Sequence, residues 1–457
     1  MGKNASLPAE SIAQQLAARF ATTEPQRDAA TREVGLRLLL DIAGLCVAAR
    51  NADYVQAAIG SVDQPGPCTV IGSASGLQLG AEGAAFVNGT AAHGEDFDDT
   101  YEGGPVHAGA VIVPAVLAAA ERHLRSGADL LRGIATGCEL MCRLCRVAPM
   151  KLHKAGFHPT AIFGAFGATA GIGAALRLTA AQQVDAYGIA GSLASGIIEY
   201  LAEGAWTKRL HAGWAAQCGY RAVRLALAGF KGPRTVFEGE HGLFYGFGNT
   251  RDGDFAAMLD GLGTEWSWLT IAFKPYACGT MAHPYIDCAR ALRARGIRPE
   301  AIARIECDTA EGIVHRLWEP LAAKQQPPNG YAAKFSIPYA IAVGLVRDDA
   351  GLAEYDDALV HDATLMSVAR KVHYRIDPGN PYPNRFTGHL RVQLADGSEI
   401  VERQDYFRGG AEHPLGDEAI EKKFFANCGF GGMDRAAAEA LARVVRGAFD
   451  QPAARLA

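Results

Sequence analysis

The chain has 457 residues, 49% hydrophobic and 20% charged, with a mean hydropathy of +0.02; that is globular composition, long enough for two or three domains, and it argues against disorder. Lys+Arg is 44 and Asp+Glu is 49, a net charge of −5, so with no long basic run nothing recommends a nucleic-acid partner. Ten cysteines are too few for a disulfide scaffold and read as the reduced thiols of a cytoplasmic protein.

The opening MGKNASLPAESIAQQLAARF has no apolar core of signal-peptide length. Met1-Gly2 with Ser6 matches a loose lipidation pattern and Asn4-Ala5-Ser6 a glycosylation sequon, but such short patterns recur by chance. Residues 1 to about 263 then read as helices. Ala29–Arg50 places Val34, Leu36, Leu38, Leu39, Ile42 and Leu45 at near-helical spacing. Asp129–Arg146, Pro159–Arg177, Ala180–Leu201 and Trp214–Gly229 continue the pattern. Thr160–Leu176 is uncharged for 17 residues, yet it is Ala/Gly-rich and short of the roughly 20 apolar residues a span needs. A helix apolar all round also suits the centre of a large helical domain, so no membrane partner is expected.

The texture changes near Gly263. Trp268–Phe273 and Ile302–Asp308 read as strands, and Ala282–Arg295, Ala333–Val346 and Asp362–Lys371 as helices. His389–Leu394, Asp396-Gly397 and Ser398–Arg403 read as a hairpin with a type I′ turn. Helix returns in Asp417–Asn427 and Asp434–Phe449. The expected fold is mostly α with an α/β second domain: a helical domain over 1–263, completed by 404–457, and an α/β domain over 264–403.

Two patterns are set aside. Cys138, Cys142 and Cys145 have an iron–sulfur spacing, C-x3-C-x2-C, but in a helical context offsets of 0, 4 and 7 form one face of a helix, and buried Cys is a common small hydrophobe. Gly164–Gly173 (GAFGATAGIG) has Leu176 where a dinucleotide fingerprint needs its third Gly, and no strand precedes it.

Four segments set ionisable residues beside apolar helices. In His93-Gly-Glu-Asp96-Phe-Asp98-Asp99-Thr100, followed by His107, three Asp in four positions could cap a helix, orient a catalytic group or bind a divalent metal. His158, just before Pro159 at a helix start, lies near a positive N-terminus that favours anions and a neutral imidazole. Lys208, Arg209 and His211 stand between Trp206 and Trp214; a solvated basic loop is the plain reading, and two large aromatics argue that it buries something. Lys274, with Cys278 and His283 after it, opens the second domain. A pocket holding His107, His158, Lys208, His211 and Lys274, with Asp96, would be cationic and rich in acid–base groups. It would suit a substrate with several carboxylates, whose α-carbanion needs both a proton carrier and an electrostatic sink.

The ordered segments Phe86-Val-Asn-Gly-Thr-Ala-Ala-His93, Asp96-Phe-Asp-Asp-Thr100, His107-Ala-Gly-Ala-Val, Gly156-Phe-His-Pro-Thr160, Lys208-Arg-Leu-His-Ala-Gly-Trp214, Thr235-Val-Phe-Glu-Gly239, Lys274-Pro and Ala333-Lys-Phe-Ser336 resemble the MmgE/PrpD family over nearly the whole chain. The resemblance implies a large helical domain with an α/β lid, a homodimer, and catalysis without metal or organic cofactor. It implies a di- or tricarboxylate substrate and a cofactor-independent lyase, with dehydration placed ahead of decarboxylation. A cofactor-free epimerase is the alternative, and a non-catalytic carboxylate-binding paralogue or a metal-dependent hydratase are further rivals. Carried over residue by residue, the site falls on Asp96, Thr100, His107, His158, Lys208 and Lys274, with Tyr339 as a further match. On this reading His107, His158, Lys208 and Asp96 are catalytic, and Thr100, Lys274, His211, Arg209 and Tyr339 bind substrate. Two departures stand out: His107 is followed by Ala108 where the family often has Pro, and the Tyr101–Val106 segment is one residue longer than in the decarboxylases.

Overall fold

The computed structural model describes residues 10–203 and 205–456; the amino-terminal lipidation and glycosylation matches lie outside them. The chain forms two compact units. One takes the chain up to Gly94, then Asp98–Ile271, then everything from Gly431 onward; the other takes Glu95–Phe97 and Ala272–Phe430. The first is helical and the second is a smaller α+β unit, the class read from the sequence. The limits differ from 263 and 404. The Asp417–Phe430 helix goes with the second unit, where it packs on the Leu352–Tyr355 turn, while Arg435–Gly447 packs on Ala29–Ala49 in the first.

At the centre of the first unit lies the helix Pro159–Leu176, buried along nearly its whole length. It is the one described helix long and apolar enough to cross a membrane, and all of it lies inside the protein. It packs on Gly127–Val147, Ala108–Arg122 and Thr207–Leu227. The glycines set the closest crossing. A Cβ at Gly137 would sit 2.8 Å from the Gly167 carbonyl oxygen, and one at Gly171 would sit 2.7 Å from that of Gly133. Backbone approach of this kind offsets the roughly 1 kcal/mol that each mid-helix Gly costs relative to Ala. The Gly164–Gly173 run is therefore a packing surface. Cys138, Cys142 and Cys145 are buried within Gly127–Val147, and all ten cysteines are free and buried.

In the second unit a four-stranded sheet runs in the order Val372–Ile376, Ile302–Thr309, Gly388–Leu394, Glu399–Gln404. The first pair is parallel and the others antiparallel. His283–Ala294 packs on the Gly388–Leu394 strand and on the helix Ile337–Arg347. The hairpin forms, with a different turn. Gly397 N–H donates to the Leu394 carbonyl at 3.0 Å and Leu394 N–H to that of Ser398 at 2.8 Å. Gly397 has φ +86°, and Asp396 is not among the positive-φ residues. A type I′ turn needs both positive, so this is a three-residue loop with glycine in the left-handed position. The strand expected at Trp268–Phe273 is mostly a 3₁₀ turn, Ser267–Thr270, because Trp268 is pinned in the first unit's core with its backbone N–H on the Glu139 carboxylate, 3.0 Å away.

Candidate active site

Four helix ends of the first unit bring the ionisable residues together. His93 lies in the last turn of Ala81–Gly94. His107 is the N-cap residue of Ala108–Arg122. His158 is the N-cap residue of Pro159–Leu176, with Pro159 in the first turn as its fixed φ favours. Lys208 and His211 lie on the first turns of Thr207–Leu227. The basic segment read as a loop is thus the start of a helix. Three helix N-termini lead into the cluster, and their partial positive charge favours bound anions and neutral imidazoles.

The rings are close. Centroids of His93 and His107 are 4.9 Å apart, and those of His93 and His158 are 5.7 Å apart with planes 23° from parallel. His107 and His158 are 6.5 Å apart, His158 and His211 5.2 Å. Tyr200 stands edge-on to His158 and His211, at 6.0 and 5.8 Å. His93, His158, Lys208 and His211 are all buried.

The hydrogen-bond network assigns the tautomers. His93 Nδ1 lies 2.7 Å from an Asp98 oxygen, so it donates and its Nε2 is the distal atom. His107 Nδ1 lies 2.7 Å from the Asp99 carbonyl oxygen and likewise donates; Asp98 stands 3.6 Å away on the same side. The two Nδ1 atoms of His158 and His211 are 3.0 Å apart. A neutral pair in that geometry has one donor and one acceptor, so one ring presents a bare Nε2 and the other an Nε2–H. Burial pushes the His158 imidazole well below its usual range, with His93, His211, Lys208 and His107 adding to the effect. Burial, helped by His93 and Lys208, takes His211 down to about 4. Both rings are neutral at pH 7. Lys208, buried on the same helix end, is the cation that lowers both.

The three aspartates separate by role. Asp98 faces His93. Asp99 accepts the Gly109 backbone N–H at 3.0 Å, satisfying a free donor in the first turn of Ala108–Arg122. Asp96, at φ +55°, belongs to the second unit, where Lys274 Nζ donates to its carbonyl and to its Oδ1, both at 2.9 Å. Thr100 is buried in the first unit, and Thr160 Oγ1 accepts the His107 backbone N–H at 3.3 Å.

Other candidates are engaged in packing. Tyr339 is fully buried in the second unit and donates its hydroxyl to the Glu354 carbonyl at 2.8 Å. Arg209 lies over the Tyr54 ring, 4.4 Å from its centroid, a cation–π contact. His283 is buried in the second unit, 3.2 Å from the Cys278 carbonyl. The flanking tryptophans bury little: Trp206 is 50% and Trp214 40% exposed, because the segment between them is two helical turns whose inner face carries Lys208 and His211. Trp214 and His211 line a cavity of about 690 Å³ with Tyr200, Ile197 and Leu210.

Reading from the sequence left two residues out of the site, His93 and Asp98. Their signal was there: a His in a helix's last turn with an Asp five residues on. His93, Asp98 and His107 also offer donor atoms all within 4.8 Å, the one such group among the described residues that could hold a metal ion. Both Nδ1 atoms already donate to protein oxygens, so an ion would displace those bonds or take the Nε2 atoms.

Comparison with known proteins extends the picture over the chain. The MmgE/PrpD N-terminal domain matches residues 14–256 and the MmgE/PrpD C-terminal domain residues 276–446. Cis-aconitate decarboxylase of Aspergillus terreus is 30% identical over 420 residues, covering 85% of this chain and 83% of that protein. The cis-aconitate decarboxylases of Mus musculus and Homo sapiens are 30% identical over 356 and 355 residues, covering 75% of this chain and 71% and 72% of theirs.

Proposed function

The chain belongs to the MmgE/PrpD family, and from that premise we propose that it is a cofactor-independent lyase that decarboxylates cis-aconitate or a closely similar unsaturated tricarboxylate. The observation that carries the reading is the cluster of four imidazoles, three of them buried, beside the buried Lys208 at three helix N-termini. The likeness to cis-aconitate decarboxylases supports decarboxylation over the dehydration that the sequence put first.

The chemistry suits such a cluster. When the bond from the saturated arm to its carboxylate breaks, CO2 leaves. The electron pair forms a new C=C, and the old double bond's pair moves to the carbon beside another carboxylate. One proton from the enzyme then quenches that allylic anion, and solvent restores it. Lys208 and the helix N-termini hold the remaining carboxylates and stabilise the charge as it spreads. His107 and the His158–His211 pair are acid–base groups within reach that can relay protons. A neutral imidazole pair keeps cationic charge low at the reacting carbon, and its one Nε2–H is available to hydrogen-bond a substrate carboxylate.

The test is incubation with cis-aconitate, citrate, 2-methylcitrate and an iminodisuccinate-type acid in deuterated buffer, followed by proton NMR. Decarboxylation gives a product one carbon smaller with one deuteron on carbon. Dehydration of the hydroxy acids with all carbons retained would move the assignment to a hydro-lyase. Deuterium exchange at constant mass balance would move it to an epimerase.

A further inference from the structure

Beyond the residues placed in that reaction, the first unit holds a buried acid–base pair with no assigned work, His93 and Asp98. Both side chains are fully buried. The carboxylate accepts Nδ1–H at 2.7 Å. On the other edge of the ring, Nε2 is buried and has no hydrogen-bond partner. A buried polar atom left without a partner is destabilising, and buried orphans of this kind mark places where a ligand, water or catalytic step completes the bonding. The ring itself is in the cluster, nearly parallel to His158 and 4.9 Å from His107. Asp98 is also the carboxylate nearest His107 Nδ1, at 3.6 Å.

A carboxylate on Nδ1 does two things to an imidazole. It fixes the tautomer, leaving Nε2 as the atom that accepts a proton, and it stabilises the ring once that proton has arrived. His158 and His211 lack such a partner and face each other. His107 has a backbone carbonyl instead. The histidine with a full carboxylate behind it is therefore His93.

We propose that His93 and Asp98 form a proton-carrying dyad of the active site, with His93 Nε2 giving the proton that the substrate carbanion takes up and Asp98 holding the ring in the required tautomer. His93 is the catalytic member and Asp98 the positioning one. The step balances: the N–H bond at Nε2 breaks, a C–H bond forms on the substrate, and His93 returns to its neutral form with Nδ1–H still on Asp98. Solvent reprotonates Nε2 after product leaves. This rests on the lyase reading above for its substrate.

The experiment is a double-variant cycle on the full chain, with His93→Gln, Asp98→Asn and both together, assayed on whichever acid the wild type turns over. Asp98→Asn is isosteric, but its amide N–H donates to Nδ1 and forces the proton to Nε2 in the resting ring. Each single variant is expected to lower kcat at least 100-fold with KM within about threefold, and the double variant to be no slower than the worse single, since the pair acts as one unit. Losses that multiply in the double variant, or kcat within threefold of wild type in either single, would overturn the dyad. A parallel readout needs no turnover: imidazole ¹⁵N shifts of His-labelled protein should show Nδ1–H at His93 in the wild type and its loss in Asp98→Asn. The same tautomer in both would also overturn it. If the wild type turns over nothing, the lyase reading fails while the nitrogen shifts still decide the dyad.

Discussion

At single residues, the chemistry of the cluster depends on which charges are buried and what faces them. Lys208 supplies the cation beside two neutral imidazoles, so Lys208→Gln should lower kcat/KM by at least 100-fold, the order expected for losing a charged donor at a developing anion, with little change in melting temperature. Steady-state kinetics beside a thermal melt checks this. The histidine pair makes stability depend on pH. His211 falls to about 4 in the folded chain against about 6.5 when unfolded. Between those values the unfolded chain binds the extra proton, so the stabilisation is full above pH 6.5 and fades as pH drops toward 4. His158 acts in the same direction. The urea midpoint should therefore be higher at pH 7.5 than at pH 5, and His211→Gln should flatten the difference. An equal slope in the variant would remove His211 as the cause. The buried Lys274–Asp96 pair also bears on stability. Lys274→Met takes the cation from a buried carboxylate and should cost about 3–5 kcal/mol in urea unfolding. From sequence, His107, His158, Lys208 and His211 were legible as site residues because each stands at a helix start or beside a break. His93 was not, because its partner Asp98 is reached through a turn whose geometry, including Asp96 at φ +55°, no spacing rule supplies. Tyr339 and Arg209 matched a pattern, yet their polar groups bond to Glu354 and stack on Tyr54.

At the element scale, helix–helix crossings hold the cluster. The Thr207–Leu227 helix, which carries Lys208 and His211, crosses Ala81–Gly94, which carries His93, at Gly213 and Gly89. A Cβ at Gly213 would sit 2.1 Å from the Phe86 carbonyl oxygen, and one at Gly89 2.7 Å from Gly213 Cα. The obstacle is backbone, which cannot swing aside. Gly213→Val should therefore cost on the order of 3 kcal/mol and shift the spectroscopic environment of the histidines. A variant with wild-type stability would show that the crossing is looser than described. Helix positions were readable from hydrophobic spacing: Ala29–Ala49, Gly127–Val147 and Pro159–Leu176 each begin and end within two residues of the expected limits. Two helices moved more. Ala180–Leu193 ends eight residues short of the expected Leu201, where Gly196 at φ +138° breaks the path and its carbonyl accepts the His158 N–H. Thr207–Leu227 begins seven residues before the expected Trp214, since a run of Lys, Arg and His looks like loop until its inner face is known to be buried. The Val372–Ile376 strand was missed for the opposite reason. It pairs in parallel with Ile302–Thr309, and such a partner leaves no hairpin signal in the local sequence.

At the scale of the whole molecule, two units share one interrupted chain, and each is completed by sequence from far away. Composition showed the change of texture near residue 263, but contact and not composition sets the limits at Ile271 and Gly431. The last segment closes the helical unit: Gly127 N–H donates to the Gln451 carbonyl at 2.8 Å and Ala454 N–H to that of Arg125 at 2.7 Å. All ten cysteines are buried and free, and burial raises thiols such as Cys68 to about 12. Ellman's reagent should find almost none of them in the native protein and all ten after unfolding. Several fast-reacting thiols in the native state would mean that a unit opens readily. Decarboxylation by the histidine cluster is tested by the rate of CO2 release from cis-aconitate by the wild type and by His158→Gln, at matched folded concentration confirmed by circular dichroism. Stoichiometric CO2 is expected from the wild type and at least a 100-fold loss in the variant. Equal rates in the two proteins, or no CO2 from the wild type, would contradict that mechanism.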